Sequence, residues 1–276
     1  MAYELERDEA IRLATEAAVL ALEVYERDFT PEQKADRTPV TEADKVLNEF
    51  LVGALQGLFP NDLVVGEESG HTTSVDADRS WFVDPIDGTS DFIKKNGEWS
   101  VMIGMAVKGR AVLGVVCEPA FDRLYFATEG GGAFERTADG DVRLRVNQEP
   151  EAAKATIVNS RSHPDPRISK VRDALSIGQE YAHGSVGCKL AQIAEGRADM
   201  YFNFSGKCFM WDTCGPEVII REAGGDLVDF EGERIHYGGE SPALTSPFIA
   251  VSDVWQERVL AVTRSMADEL DPSRHP

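Results

Sequence analysis

Two aspartates three residues apart, Asp84 and Asp87, follow the apolar run at residues 81–83. The run is typical of a strand that carries Asp84 to its end, and Pro85 then turns the chain. Both carboxylates and the Ile86 carbonyl between them can converge on one point, and hard cations such as Mg²⁺ prefer such a set of oxygens. Because Asp, Pro, Gly and Thr are all turn formers, the stretch alone is equally consistent with an ordinary turn.

The three residues after Asp87 suit a phosphate group. Gly88 lets a phosphate approach the backbone closely, because glycine has no side chain. Thr89 and Ser90 stand where a helix would begin, and the first turn of a helix offers free backbone N–H donors. The pattern therefore predicts a metal site and a phosphate site side by side.

Two further acidic segments strengthen the metal interpretation. Glu67 follows the apolar residues 63–65, and Asp212 stands at the start of a long apolar helical segment. Taken separately, Glu67 is explained by surface charge and Asp212 by a helix N-cap. Together with the first pair of aspartates, they supply the remaining ligands of a site for several metal ions.

The charge of the chain restricts its partners. Among 276 residues there are 48 Asp and Glu against 28 Lys and Arg, which gives a formal net charge of −20. This charge would repel a nucleic-acid polymer or an anionic membrane surface. A small anionic substrate remains compatible with it, provided that metal ions supply the local positive charge.

The same composition indicates where the protein works. Charged residues interrupt the first thirty positions, and no 18-residue apolar run occurs later in the chain. The four cysteines form no C-x-x-C pair and no cluster with histidine. We expect a soluble protein of the reducing cytoplasm.

The elements that must position these residues follow from the hydrophobic periodicity. Apolar residues at three- and four-residue spacing predict amphipathic helices over residues 6–28 and 46–58. Thr41 with Asp44 forms a capping pattern before the second helix. Short apolar runs over residues 63–146 predict a meander of antiparallel strands.

Two halves are predicted from the order of these elements. Residues 1–149 would form an N-terminal α+β subdomain that carries most of the metal ligands. Beyond about residue 150 strands and helices alternate, so residues 150–276 would form a C-terminal α/β subdomain with the substrate side and the last metal ligand. The three glycines at residues 130–132 predict a hairpin turn, because they lack the pattern of a nucleotide-binding loop.

Three motifs follow one another along the chain: G-E-E-S at residues 66–69, W-F-V-D-P-I-D-G-T-S-D-F at residues 81–92, and W-D at residues 211–212 followed by E-A-G-G at residues 222–225. In order and spacing they resemble the signatures of the inositol monophosphatase superfamily of Mg²⁺-dependent, Li⁺-sensitive phosphomonoesterases. The resemblance extends over about residues 10–252. It implies a layered αβαβα sandwich and an enzyme that uses two or three Mg²⁺ ions.

The resemblance also assigns roles to individual positions. The implied metal ligands are Glu67, Asp84, Asp87, Asp212 and the Ile86 carbonyl. Asp44 and Thr89 match the pair that polarises the attacking water, which Glu67 assists. Phosphate transfer would then go directly to water, with no protein nucleophile.

Three further segments are F-I-K-K-N-G-E-W-S-V at residues 92–101, S-R-S-H at residues 160–163 and G-S-V-G-C-K at residues 184–189. They are similar to segments of the 3′(2′),5′-bisphosphate nucleotidase branch, whose substrate is adenosine 3′,5′-bisphosphate left over from sulfate activation. Besides Gly88, Thr89 and Ser90, this likeness implies substrate contacts from Ser185, and from Arg161 and Lys189 as cations for a second phosphate. Exposed, solvated bases are the alternative for Arg161 and Lys189.

One loop departs from both patterns. Residues 203–210 lack the glutamate that inositol phosphatases place there and the G-P-T run of the nucleotidases. Inositol monophosphate or another small phosphate monoester therefore remains an alternative substrate. A metal- or phosphate-binding regulatory protein without turnover is the alternative of another class, and a homodimer is common in the family.

Overall fold

The computed structural model describes residues 3–34, 38–69 and 74–270. The helices of the described residues are α1 Glu4–Glu26, α2 Glu42–Leu58, α3 Thr89–Ile93, α4 Arg167–Leu175, α5 Val186–Ala194, α6 Met210–Glu222, α7 Asp253–Ser265 and α8 Ala267–Leu270. The first helix begins and ends two residues earlier than predicted, which is the usual error of periodicity at helix ends. None of these helices is long and apolar enough to cross a membrane.

The strands of the N-terminal half form a two-stranded ribbon and a seven-stranded sheet. They are β1 Glu32–Gln33, β2 Pro39–Val40, β3 Leu63–Gly66, β4 Arg79–Asp87, β5 Ser100–Val107, β6 Arg110–Glu118, β7 Arg123–Thr128, β8 Gly132–Thr137 and β9 Gly140–Arg143. Strands β3 to β9 pair in chain order.

The strands of the C-terminal half form a five-stranded sheet and a second ribbon. They are β10 Thr156–Ser160, β11 Gln179–His183, β12 Met200–Asn203, β13 Cys208–Phe209, β14 Gly225–Val228, β15 Ala243–Leu244 and β16 Phe248–Ser252. The sheet order is β11-β10-β12-β16-β14, and β13 pairs with β15.

The layers follow the predicted αβαβα order. Helices α1 and α2 pack on one side of the seven-stranded sheet, and α5 and α6 pack between the two sheets. Helices α4 and α7 pack together, and α7 contacts the five-stranded sheet. The largest core cluster contains residues of both sheets and of the helices between them, so the site described below is built on a packed interior.

The meander is antiparallel except at its beginning. Strand β3 pairs with β4 in parallel, whereas all the following neighbours in this sheet are antiparallel. The prediction of an antiparallel meander was therefore wrong at this pair. Parallel neighbours need a crossover of about a dozen residues, and residues 67–78 supply that length.

Strand β11 did not appear in the sequence pattern. Its residues Gln179–His183 carry no apolar run, because β11 is an edge strand with largely exposed side chains. The hairpin turn predicted at residues 130–132 is confirmed between β7 and β8. The Glu222 carboxylate accepts hydrogen bonds of 2.8 Å from the N–H groups of Gly130 and Gly132.

Helix α6 lies unusually close to the seven-stranded sheet. A Cβ atom on Gly114 of β6 would lie 2.0 Å from the Gly215 carbonyl oxygen of α6. A Cβ atom on Gly104 of β5 would lie 2.5 Å from the Gly215 N atom. These glycines let the backbone of α6 touch the sheet, which fixes the start of α6 beside the end of β4.

Candidate metal centre and active site

The sequence pair Asp84 and Asp87 is brought to one side of the sheet by a β-bulge. Asp84 pairs with Met102 of β5, and Asp87 pairs with Ser100. An advance of three residues along β4 is therefore matched by only two residues along β5. Side chains of a regular strand alternate between faces, and residues three apart would point in opposite directions. The extra residue of the bulge, in the segment that contains Pro85, removes this conflict.

Asp212 completes a group of three carboxylates. It lies in the first turn of α6, where its Oδ2 accepts a 2.7 Å hydrogen bond from the Phe209 N–H. One carboxylate oxygen from each of Asp84, Asp87 and Asp212 lies within 4.8 Å of the others. The structure thus brings together residues that are 128 positions apart in the chain.

The electrostatics of this group call for a cation. Burial and the nearby carboxylates of Glu67, Asp87 and Asp212 raise the pKa of Asp84 well above its usual range. Burial and the Asp87 carboxylate raise the pKa of Asp212 to about 8. Crowded carboxylates resist ionisation in this way unless positive charge is brought to them. The all-oxygen donor set fits Mg²⁺.

Glu67, in the one-turn 3₁₀ helix after β3, contacts Asp84 and lies outside the group of three carboxylates. Burial raises the pKa of Glu67, and Lys34 opposes that shift. The Lys34 Nζ lies 2.6 Å from Glu67 Oε1 and also contacts the Glu68 carboxylate. No sequence pattern pointed to Lys34, because a lone lysine in a polar segment carries no spacing signal.

Thr89 and Asp44 are in contact. The Thr89 Oγ1 lies 3.0 Å from Asp44 Oδ1 and 3.1 Å from the Ile86 carbonyl oxygen. The other oxygen of Asp44, Oδ2, accepts hydrogen bonds from the Thr41 N–H at 2.7 Å and from the Thr41 hydroxyl at 2.6 Å. The predicted capping pattern is confirmed, and one buried carboxylate both caps α2 and orients Thr89.

Gly88 is required by its surroundings. Its φ of +91° lies in the left-handed region, and a Cβ atom would lie 3.0 Å from the Glu98 carbonyl oxygen. Thr89 and Ser90 follow at the start of α3 and are half-buried. The chain can therefore turn sharply between the Asp87 carboxylate and the backbone donors of the next residues.

Ser185 and Lys189 are buried, and Ser185 contacts the Asp87 carboxylate directly. The Ser185 hydroxyl donates a 2.5 Å hydrogen bond to Asp87 Oδ2, and the Gly187 N–H donates to the same oxygen at 2.8 Å. Lys189 is 2% exposed, and its Nζ donates to the Ser185 carbonyl at 2.5 Å. Its positive charge opposes the rise that burial causes in the pKa of Asp87.

Arg161 forms an ion pair that the sequence did not indicate. Its Nε and Nη2 atoms donate to the two oxygens of Glu98 at 2.6 Å each, and Nη2 also donates to the Ala182 carbonyl at 2.7 Å. Glu98 in turn accepts a 2.7 Å hydrogen bond from the Gly184 N–H. Glu98 lies inside the segment F-I-K-K-N-G-E-W-S-V at residues 92–101, so that segment contained this partner without revealing its role.

The loop over residues 203–210 is internally bonded. The Asn203 side-chain oxygen accepts hydrogen bonds from the N–H and hydroxyl of Ser205, at 3.0 and 2.7 Å. The Ser205 hydroxyl accepts from the Lys207 N–H. The chain then enters β13, and Met210 donates its N–H to the Pro242 carbonyl at 2.9 Å.

Comparisons with known proteins point in one direction. The profile described as the inositol monophosphatase family matches residues 4–267. The 3′(2′),5′-bisphosphate nucleotidase CysQ of Escherichia coli K12 is 33% identical over 234 residues, which cover 83% of this chain and 93% of the relative. The Nus factor SuhB of Pasteurella multocida is 33% identical over 231 residues, covering 81% of this chain and 84% of that protein.

Solved structures agree on the fold. An IMPase from Thermotoga maritima superposes with a TM-score of 0.81 at 25% identity, covering 95% of this chain and 98% of the other. The inositol monophosphatase of Anabaena has a TM-score of 0.79 at 22% identity, with coverage of 96% and 97%.

Proposed function

The chain belongs to the inositol monophosphatase family, and we propose that it is a Mg²⁺-dependent phosphomonoesterase that removes the 3′-phosphate of adenosine 3′,5′-bisphosphate to give AMP and phosphate. The observation that carries the chemistry is the group of Asp84, Asp87 and Asp212 oxygens within 4.8 Å, beside the contact between Thr89 and Asp44. The resemblance of residues 92–101, 160–163 and 184–189 to the nucleotidase branch supports the substrate.

The proposed metal ligands are Glu67, Asp84, Asp87, Asp212 and the Ile86 carbonyl. Bound Mg²⁺ would neutralise the charge of the phosphate and lower the pKa of a coordinated water. Asp44 accepts the hydrogen bond of the Thr89 hydroxyl. The Thr89 oxygen would take a proton from the attacking water while the Thr89 hydroxyl proton passes to Asp44, which leaves the water as hydroxide. Glu67 assists by accepting a second hydrogen bond from this water.

We propose two groups of substrate contacts, one for each phosphate of the substrate. The backbone of Gly88 and the first residues of α3, Thr89 and Ser90, would donate to the departing phosphate. Arg161 would meet a second phosphate at the rim, with its guanidinium aligned by Glu98. Lys189 would contribute positive charge from the interior, and Ser185 would hold Asp87 in place.

A phosphate-release assay tests the proposal. Adenosine 3′,5′-bisphosphate, inositol 1-phosphate and fructose 1,6-bisphosphate are compared by kcat/KM, each with Mg²⁺ and with EDTA. We expect release only with Mg²⁺, inhibition by millimolar Li⁺, and a preference of about a hundredfold or more for the nucleotide, which corresponds to about 2.7 kcal/mol. A preference for inositol 1-phosphate would support the Mg²⁺-dependent phosphatase reaction but show that the proposed nucleotide substrate is wrong.

A regulatory protein without turnover is the second candidate, and the similarity to a relative named as a Nus factor favours it. Against it stands the contact between Thr89 and Asp44, because binding alone needs no group that activates water. Absence of metal-dependent phosphate release from all three compounds would support this candidate.

We further propose that the enzyme works in the cytoplasm, where its four free, buried cysteines would stay reduced, and that it forms a homodimer.

A further inference from the structure

An exposed aromatic residue, Phe209, contacts the acidic group through its backbone. Phe209 is 39% exposed, whereas Cys208 before it is buried. The Phe209 N–H donates directly to Asp212, one of the three clustered carboxylates. Phe209 also belongs to residues 203–210, the loop in which this chain departs from the patterns of both phosphatase types.

The ring of Phe209 is held as a flat platform. It stacks on the Trp211 ring with a centroid distance of 4.6 Å and an angle of 7° between the ring planes. Trp211 itself is 8% exposed, whereas Phe209, stacked on it, is 39% exposed. The pairing of Phe209 with Ala243 and the hydrogen bond from the Phe209 N–H to the Asp212 carboxylate fix the backbone of this residue.

A rigid, exposed aromatic ring two residues before Trp211 and three before Asp212 suits a planar heterocycle. Base–aromatic stacking tolerates any base, because every base has a π-face. A polyol such as inositol has no such face and would gain little from the ring. Lys207, two residues before Phe209, is also exposed and adds positive charge on the outward side of the loop.

We propose that Phe209, supported by Trp211, is the platform on which the nucleobase of the substrate stacks, and that it determines the preference for nucleotides. This inference rests on the proposed bisphosphate nucleotidase function. A stacked base would lie beside Asp212 while the 3′-phosphate lies among the carboxylates. Phe209 contributes to specificity rather than to the chemical step.

The test compares a substrate with and without its base. Wild type, Phe209→Ala, Phe209→Trp and Phe121→Ala are assayed on adenosine 3′,5′-bisphosphate and on 1-deoxyribose 3,5-bisphosphate, which lacks the base. Phe121 is the matched control, because it is 48% exposed and lies in a different loop. Thermal melting of each variant confirms that it is folded.

We expect Phe209→Ala to lower the ratio of kcat/KM for the nucleotide over the base-free compound by about 5- to 150-fold, mainly through KM. Phe209→Trp should keep the ratio and Phe121→Ala should not change it. An unchanged ratio in folded Phe209→Ala would overturn the stacking role. If wild type itself fails to prefer the nucleotide over inositol 1-phosphate, the proposed substrate has failed instead.

Discussion

The double role of Asp44 gives a prediction that separates catalysis from stability. Its Oδ1 faces the Thr89 hydroxyl, and its Oδ2 accepts two hydrogen bonds from Thr41 at the start of α2. Thr89→Ala removes the first contact alone and Thr41→Val removes the hydroxyl bond of the second. Asp44→Asn disturbs both, because an amide has a single acceptor oxygen for three donors.

The expected magnitudes follow from these contacts. Loss of a group that accepts a proton from the attacking water lowers kcat by about 10²- to 10⁴-fold, or about 3–5 kcal/mol of activation free energy. Thr89→Ala should show this loss and also cost about 1–2 kcal/mol of unfolding free energy, because the buried Asp44 Oδ1 loses the hydroxyl that donates to it. Thr41→Val should lose a similar unfolding free energy, because it breaks a buried capping bond, but keep kcat within a few-fold.

The assay is a mutant cycle measured in two ways. Phosphate release at saturating Mg²⁺ gives kcat, and urea unfolding gives stability for each single variant and for Thr89→Ala/Asp44→Asn. If the two side chains act as one unit, the double variant loses no more kcat than the worse single variant. If the two losses multiply, or if Thr41→Val slows turnover as much as Thr89→Ala, the pair does not activate water together.

Three further predictions address the metal group, the buried acids and the core. Asp84→Asn keeps the Oδ1 acceptor for the Ile86 N–H. At pH 8 this substitution should raise the Tm of the metal-free protein by a few degrees, because it removes like charge from the group of carboxylates. It should also abolish the Mg²⁺-induced rise in Tm and the metal-dependent activity. Burial and the Glu195 carboxylate raise the pKa of Glu118 to about 7. The native state therefore binds the proton of the Glu118 carboxyl more tightly than the unfolded state does. The free energy of unfolding should fall as the pH rises from about 4.5 to about 7. Urea titrations across that range should show a flatter profile for Glu118→Gln and a gain of at most about 3 kcal/mol at pH 8, and identical profiles would contradict the buried-acid argument. Gly114→Ala should lose about 3 kcal/mol in urea unfolding through its clash with α6, while the control Gly53→Ala, with no atom within 4 Å, should gain about 0.5–1 kcal/mol.

The sequence by itself placed the chain in its family and predicted the helices and the acidic residues of the candidate site. The helices depend on hydrophobic periodicity and on the capping pattern of Thr41 and Asp44, and the acidic residues on short motifs whose residue types suit one chemistry. The layered architecture followed from the resemblance of those motifs to the family. Asp84, Asp87 and Asp212 were therefore predicted as ligands before any contact between them was visible. Residues without a periodic pattern, such as those of β11 at an exposed edge, escaped this reasoning.

The tertiary structure decided how those residues meet. A bulge opposite Ser100 and Met102 turns Asp84 and Asp87 to one side, and an irregular register cannot be deduced from an alternating pattern. The ion pairs of Lys34 with Glu67 and of Arg161 with Glu98 join segments 33 and 63 residues apart, which no local spacing encodes. Burial depends on the packing of whole layers, so only the fold could place Lys189 in the interior and leave Phe209 exposed.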